Sequence, residues 1–272
     1  MNKIETIQRD KDGLITPHGG KLKELFIQDQ NQREKLLSEI TYEHECSERN
    51  ACDVELLIVG AFSPLDGFMN QNDYLSVIKE NRDNKGLLFG LPIVLDTDNE
   101  QITIGDKILL GYKGQSLAIL EVESKWEPDK SSEAKFCYGT NSQDHPAVKM
   151  IFHERGRFYL GGKIFGLETP KRDFPCKTPK EVRSSLPPNY DVVAFQCRNP
   201  IHRAHYELFT NSLTSENVSE NSIVLVHPTC GPTQQDDIPG KVRYQTYLKL
   251  SEEITNKKIH WAFLPYSMHM AG

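Results

Sequence analysis

The chain has 272 residues, 26% of them charged, and a formal net charge of -6 at pH 7. That length supplies material for one large or two ordinary packed domains. The acidic balance excludes a general basic field that would draw nucleic acid or an anionic membrane to the whole surface, so an anionic substrate has to be caught locally.

The N-terminal run Met1 to Asp10 is charged and lacks an apolar core, and no later stretch reaches membrane-spanning length. No membrane or nucleic-acid partner is expected, and the expected setting is cytoplasmic. The cysteines Cys46, Cys52, Cys137, Cys176, Cys197 and Cys230 form no Cys-x-x-Cys pair, so reduced thiols are expected. Cys197 is singled out: a helix N-terminus and Arg198 beside it could lower its pKa, although a small residue filling a tight turn is the plainer reading.

Taken in order, Lys21 to Glu39 reads as helical through Leu22, Leu25, Phe26, Leu36 and Leu37. Leu56 to Ala61 forms a short apolar element ending at Gly60. Phe62 to Met69 is a packed loop leading into a helix near Tyr74 to Glu80. The β-rich runs Leu91 to Leu95, Gln101 to Ile104, Lys107 to Tyr112 and Ser116 to Val122 then predict a small β-barrel or compact sheet.

Prolines 170, 175, 179, 187 and 188 interrupt regular structure between Gly166 and Pro188, which marks a domain boundary; we place it at 168/169, giving domains 1–168 and 169–272. Thr178 as cap, Pro179 at the first helical position and Glu181 three after the cap predict a short helix to about Ser185. Asp191 to Phe195 suits a buried strand of a parallel sheet, followed by strands at Ser222 to Val226 and Ile259 to Phe263. Helices at Ile201 to Leu213 and Lys241 to Ile254 lie between them. That alternation implies right-handed crossovers, with the ligand at the carboxyl ends of the strands.

The chemistry concentrates where the first of these strands ends. Asn199 is a good N-cap and Pro200 suits the first helical position, so a helix is expected to begin there, with its N–H groups and positive dipole end facing an anion. His202 and His205 then share a face near the first turn, while Gln196 and Arg198 project from the preceding loop. Such a His-x-x-His pair can be a solvated pair, half a metal site or part of a phosphate site. No carboxylate or cysteine stands at ligand spacing on that helix, so phosphate is favoured and no metal is assigned to protein ligands.

The run Gln196-Cys197-Arg198-Asn199-Pro200-Ile201-His202-Arg203-Ala204-His205 resembles the nucleotide-binding signature of the ATP sulfurylases, which usually have Thr where Cys197 stands. Pro17 to Gly20, Gly60 to Met69, His145-Pro146-Ala147 and Tyr159 to Gly162 resemble the same family, as does the loop from His227 to Ile238 before a helix bearing Arg243 and Tyr247. The resemblance implies a PUA-like β-barrel domain followed by a Rossmann-like parallel α/β nucleotidyltransferase domain, an α/β chain overall. It implies the reaction of ATP and sulfate to adenylyl sulfate and pyrophosphate, with Mg2+ arriving on ATP, and a homo-oligomer.

On the same resemblance, Gln196 and Arg198 bind sulfate, and Gln196, Cys197, Arg198, Asn199, His202 and His205 bind ATP. Cys197, Arg198, Asn199, His202 and His205 form the catalytic set. Arg243 could instead pair with Asp236 or Asp237. The family usually has Met-Arg-x-Ala-Gly where this chain reads Met268-His269-Met270-Ala271-Gly272, and then continues, so the nucleotide pocket is expected to be only partly represented. A silent fragment and another His-x-x-His nucleotidyltransferase are the alternatives. No Gly-x-x-x-x-Gly-Lys-[Ser/Thr] loop is present, so a P-loop kinase is not expected in these residues.

Overall fold

The computed structural model describes residues 8–216, 218–233 and 237–265. By contact they form two units, residues 23–170 and residues 8–22 with 171–265. Among the described residues no helix is long and apolar enough to cross a membrane.

Residues 23–170 run through α1 (Gln30–Ser38), β1 (Tyr42–Glu45), α2 (Glu48–Ile58), β2 (Gly67–Phe68), α3 (Gln71–Glu80), β3 (Leu95–Thr97), β4 (Lys107–Tyr112), β5 (Gln115–Trp126), α4 (Lys130–Tyr138), α5 (Pro146–His153) and β6 (Phe158–Gly166). Asp29, Ser47, Asn70 and Asp129 each accept an N–H from the first turn of the helix that follows, which fixes where α1 to α4 begin. The strands form one six-stranded sheet in the order β1-β4-β5-β6-β2, with β3 also on β6. Alternation along β4 buries Ile108, Leu110 and Tyr112 against Val54, Leu57 and Ile58 of α2.

The expected barrel is not closed: among the described residues β1 and β2 are the ends of an open path. They are four and two residues long, too short for the continuous ladder that closure needs. Gly161 and Gly162 lie where β6 passes close to its neighbours. A Cβ on Gly161 would stand 2.2 Å from the Met69 carbonyl oxygen, and one on Gly162 2.0 Å from that of Glu121.

Four local expectations are corrected. The helix expected from Lys21 forms only from Gln30, because the backbone before it is taken by neighbours. Leu25 N–H donates to Ile58 O at 2.9 Å and Ile27 N–H to Gly166 O at 3.0 Å, while Gly166 N–H donates to Leu25 O at 2.8 Å. Leu56 to Ala61 is no separate element but the apolar end of α2, stopped at Gly60 with φ 82°. The Leu91 to Leu95 run contributes only its last residue to β3. Gln101 to Ile104 is a turn, in which the Asp106 carboxylate accepts from the Thr103 N–H at 2.6 Å and the Thr103 hydroxyl at 2.9 Å. Lys107 to Tyr112 forms as read, and Ser116 to Val122 lies within β5.

The second unit contains α6 (Pro179–Ser185), β7 (Asp191–Cys197), α7 (Arg203–Ser212), β8 (Ser222–Pro228), α8 (Gly240–Glu253) and β9 (Ile259–Trp261). Its three strands are parallel in the order β7-β8-β9, as the alternation of strands and helices requires. The capping box of α6 forms from Thr178 and Glu181. Residues 8–22 pack here: the Arg9 guanidinium meets Asp191 at 2.6 Å and the Tyr190 carbonyl at 2.9 Å, and Arg183 meets Asp10 at 2.7 Å.

Phe209 of α7, Val224 and Val226 of β8 and Ile259 of β9 form the centre of this unit's core. β7 is parallel as expected but not a buried strand. It is an outer strand of the sheet among the described residues, and alternate residues Ala194 and Gln196 are exposed on one face.

Candidate functional site

β7 and β8 pair in register as far as Cys197 opposite Pro228, so two chain segments leave the sheet side by side at its carboxyl end. Residues 198–202 form the first loop, and α7 begins at Arg203 with His202 at its cap position. The helix start expected at Asn199 and Pro200 is therefore three residues too early. A helix there would need the Asn199 carbonyl for its own first bond. That carbonyl instead accepts from the Tyr247 hydroxyl at 2.9 Å, and the Arg198 carbonyl accepts from Arg243 Nη1 at 3.0 Å. Helical bonding is taken up from the His202 carbonyl, which accepts the Tyr206 N–H at 3.1 Å.

The structure brings His202 and His205 together: their rings stack with centroids 3.9 Å apart and an angle of 24° between planes. His202 is exposed, whereas His205 is half-buried against the Phe195 ring at 5.8 Å. Nδ1 of His205 is buried and has no hydrogen-bond partner among the described residues. Gln196 stays beside the loop, its Nε2 donating to the Cys197 carbonyl at 3.2 Å. Among the described residues no three His, Cys, Asp or Glu side chains gather as metal ligands.

Arg198 is paired: Nη1 lies 3.1 Å from Asp237 Oδ2, with the two side chains 20% and 11% exposed. Arg243 does not pair with Asp237. Its guanidinium is 1% exposed and donates to the carbonyls of Arg198, Thr229 and Gly231 at 3.0, 3.0 and 2.8 Å. This carbonyl-holding role of Arg243 and Tyr247 escapes sequence reasoning. The available signal is their spacing of four on one predicted helix, which places both on one face. Gly240 lets α8 start close by, since a Cβ there would stand 2.0 Å from the Cys230 carbonyl oxygen.

The expectation of a lowered Cys197 pKa is overturned. Burial pushes its thiol up to about 11, outweighing the lowering effects of the Tyr247 hydroxyl at 4.0 Å and the Arg243 charge. Cys197 is a buried, protonated wall residue, as the plainer reading had it. Burial likewise raises the neighbouring Cys230 to about 12.

His227, at the end of β8, is lowered from 6.5 to about 4 by burial, and its Nε2 has no partner among the described residues. It is neutral at pH 7. Because the folded form releases its proton more readily than the unfolded form, its contribution to stability is present above about pH 6.5 and is lost as pH falls towards 4. Thermal unfolding measured from pH 7 to 4 should therefore show a smaller acid-induced loss in His227→Gln than in the parent chain. Equal losses would remove His227 as the cause.

Gln234, Gln235, Asp236 and the segment from Tyr266 to Gly272, with His269, lie outside the described residues.

A PUA-like domain family matches residues 15–169, and an ATP-sulfurylase family matches residues 175–272. Sulfate adenylyltransferases from Kluyveromyces lactis and Schizosaccharomyces pombe are 38% and 40% identical over 95% and 92% of this chain. The chain spans about half the length of these relatives, 53% of each. A solved structure described as a hexameric APS kinase from Thiobacillus denitrificans has a TM-score of 0.73 over 95% of this chain and 48% of its own length. At 24% identity that match shows likeness of fold.

Proposed function

Because this chain belongs to the ATP-sulfurylase family, joining a PUA-like domain to an ATP-sulfurylase domain, we propose that it acts as a sulfate adenylyltransferase. The observation that carries this reading is the stacked His202–His205 pair at the carboxyl end of β7, on the segment that follows Arg198 in the chain. A parallel α/β sheet offers its ligand site at that end, and imidazole and guanidinium are groups that can donate to an oxyanion.

In the proposed reaction an oxygen of sulfate attacks the α-phosphorus of ATP. The bond from that phosphorus to the bridging oxygen breaks, and its electron pair leaves with pyrophosphate. Sulfate is already a dianion, so no proton has to be removed, and the protein's work is alignment and charge neutralisation. Gln196 and Arg198 hold sulfate, backbone groups from Gln196 to Asn199 hold the α-phosphate, and His202 and His205 donate to the phosphates as charge builds on pyrophosphate. Cys197 contributes the wall behind the loop.

Magnesium enters as part of the nucleotide substrate, held mainly by its phosphates. The same reading carries a Rossmann-like nucleotidyltransferase domain around the parallel sheet, a cytoplasmic setting and homo-oligomeric assembly. The test is pyrophosphate release from magnesium-ATP by the purified chain with and without sulfate. Sulfate-dependent release supports the proposal; turnover indifferent to sulfate assigns another nucleophile, and absence of release from folded protein removes the activity from this chain.

The Arg198–Asp237 contact sets a further expectation. Sulfate has to share or displace a carboxylate that already faces the guanidinium. A partly exposed pair of this kind is worth up to about 1 kcal/mol, so Asp237→Asn should tighten sulfate binding by roughly three- to fivefold. Calorimetric titration with sulfate checks it, and unchanged or weaker binding would separate Arg198 from the sulfate site.

A further inference from the structure

The two loops that leave β7 and β8 share a feature that their own backbones cannot satisfy. Asn199 is followed by Pro200 and Gly231 by Pro232, so neither peptide has an N–H to continue a ladder. The carbonyls that precede these prolines need donors from elsewhere. Both receive them from α8: the Tyr247 hydroxyl donates to Asn199 O at 2.9 Å and Arg243 Nη2 to Gly231 O at 2.8 Å. Arg243 Nη1 is shared between Arg198 O in the first loop and Thr229 O in the second, each at 3.0 Å. One buried guanidinium therefore spans both loops. Tyr247, four residues on and fully buried, supports the first of them from the same helix face.

We propose that Arg243 and Tyr247 are positioning residues that lock the 198–199 and 229–231 loops to each other, so that the two loops respond as one unit. This rests on the sulfate adenylyltransferase reading only for its consequence in turnover; the coupling of the loops stands on the hydrogen bonds themselves. The planar guanidinium has donors at fixed angles, so it can hold three carbonyls at once where an ammonium could not reproduce the fork. Because trans peptide units place C=O and the following N–H on opposite sides, drawing the Arg198 carbonyl towards α8 turns the Asn199 N–H away from it. The side chains that follow, from Asn199 to His202, start from that fixed peptide.

The test uses hydrogen exchange on the full chain, comparing the parent with Tyr247→Phe and Arg243→Lys. Tyr247→Phe removes a single hydroxyl whose loop partner is Asn199 O and leaves the ring packing. It is expected to speed exchange about tenfold at amides 197–199 and also at 229–231, which the hydroxyl does not touch, with α8 and β9 unchanged. Arg243→Lys, which keeps the charge but loses the fork, is expected to release both loops together by at least as much. Release of 197–199 alone in Tyr247→Phe, or uniform acceleration across the unit, would overturn the coupling. In the pyrophosphate assay the same variants should lower kcat about tenfold, with the KM for sulfate changed by less than about threefold. A parent chain without sulfate-dependent turnover would defeat the functional reading while leaving the exchange result to decide the coupling.

Discussion

His202→Ala is expected to reduce sulfate-dependent pyrophosphate release by about 10²- to 10³-fold, the usual cost of removing a donor aimed at developing charge. His202 is exposed at the cap position of α7, so the substitution removes no core contact, and stability should change by no more than about 0.5 kcal/mol. The loss would therefore fall on turnover. His205→Ala should cost a similar factor for a second reason as well. Its ring lies between His202 at 3.9 Å and Phe195 at 5.8 Å, so removing it also frees the His202 ring from its stack. The double variant should then lose much less than the product of the two single losses, because the rings act together. The measurement is kcat and KM for all three variants, with a melting curve to verify folding. Full turnover in His202→Ala would end the assignment.

Arg155→Met is expected to destabilise residues 23–170 by about 3–5 kcal/mol, the cost of leaving one member of a buried ion pair alone. Glu133 is 1% exposed and is held by Arg155 Nη1 at 2.8 Å and by the hydroxyls of Tyr74 and Tyr159, each at 3.0 Å. Burial raises the pKa of both phenols, which remain donors at neutral pH. Tyr74 and Tyr159 pack on each other with ring centroids 5.7 Å apart and on Trp126 at 5.3 and 5.9 Å, fixing the hydroxyl positions. With Arg155 gone, Glu133 must stay charged in an apolar frame or take up a proton. The double variant Glu133→Gln with Arg155→Met removes that stranded charge and should recover a large part of the loss. Urea unfolding of the parent, single and double variants measures it; a single-variant change under about 1 kcal/mol would show that the pair does not hold this region.

Much of this molecule was legible in the amino-acid order because the responsible forces are local. The Thr178-Pro179-Lys180-Glu181 run specified α6 through its own capping box. The β-rich run Lys107 to Tyr112 specified β4, and the strand and helix runs after Asp191 specified a parallel sheet. The Gln196 to His205 signature pointed to the family, and its two imidazoles do stand together. The tertiary structure alone decided what distant groups do to these segments. Arg243 and Tyr247 take the carbonyls at 198 and 199, which moves the start of α7 from Pro200 to Arg203. Residues around Leu25 and Ile27 look helical by periodicity, yet Ile58 and Gly166 claim their backbone. Asp237 faces Arg198, and burial keeps the Cys197 thiol protonated. Spacing along the chain sets which residues share a face, but a backbone carbonyl or a charge answers to whichever donor or solvent the fold brings to it.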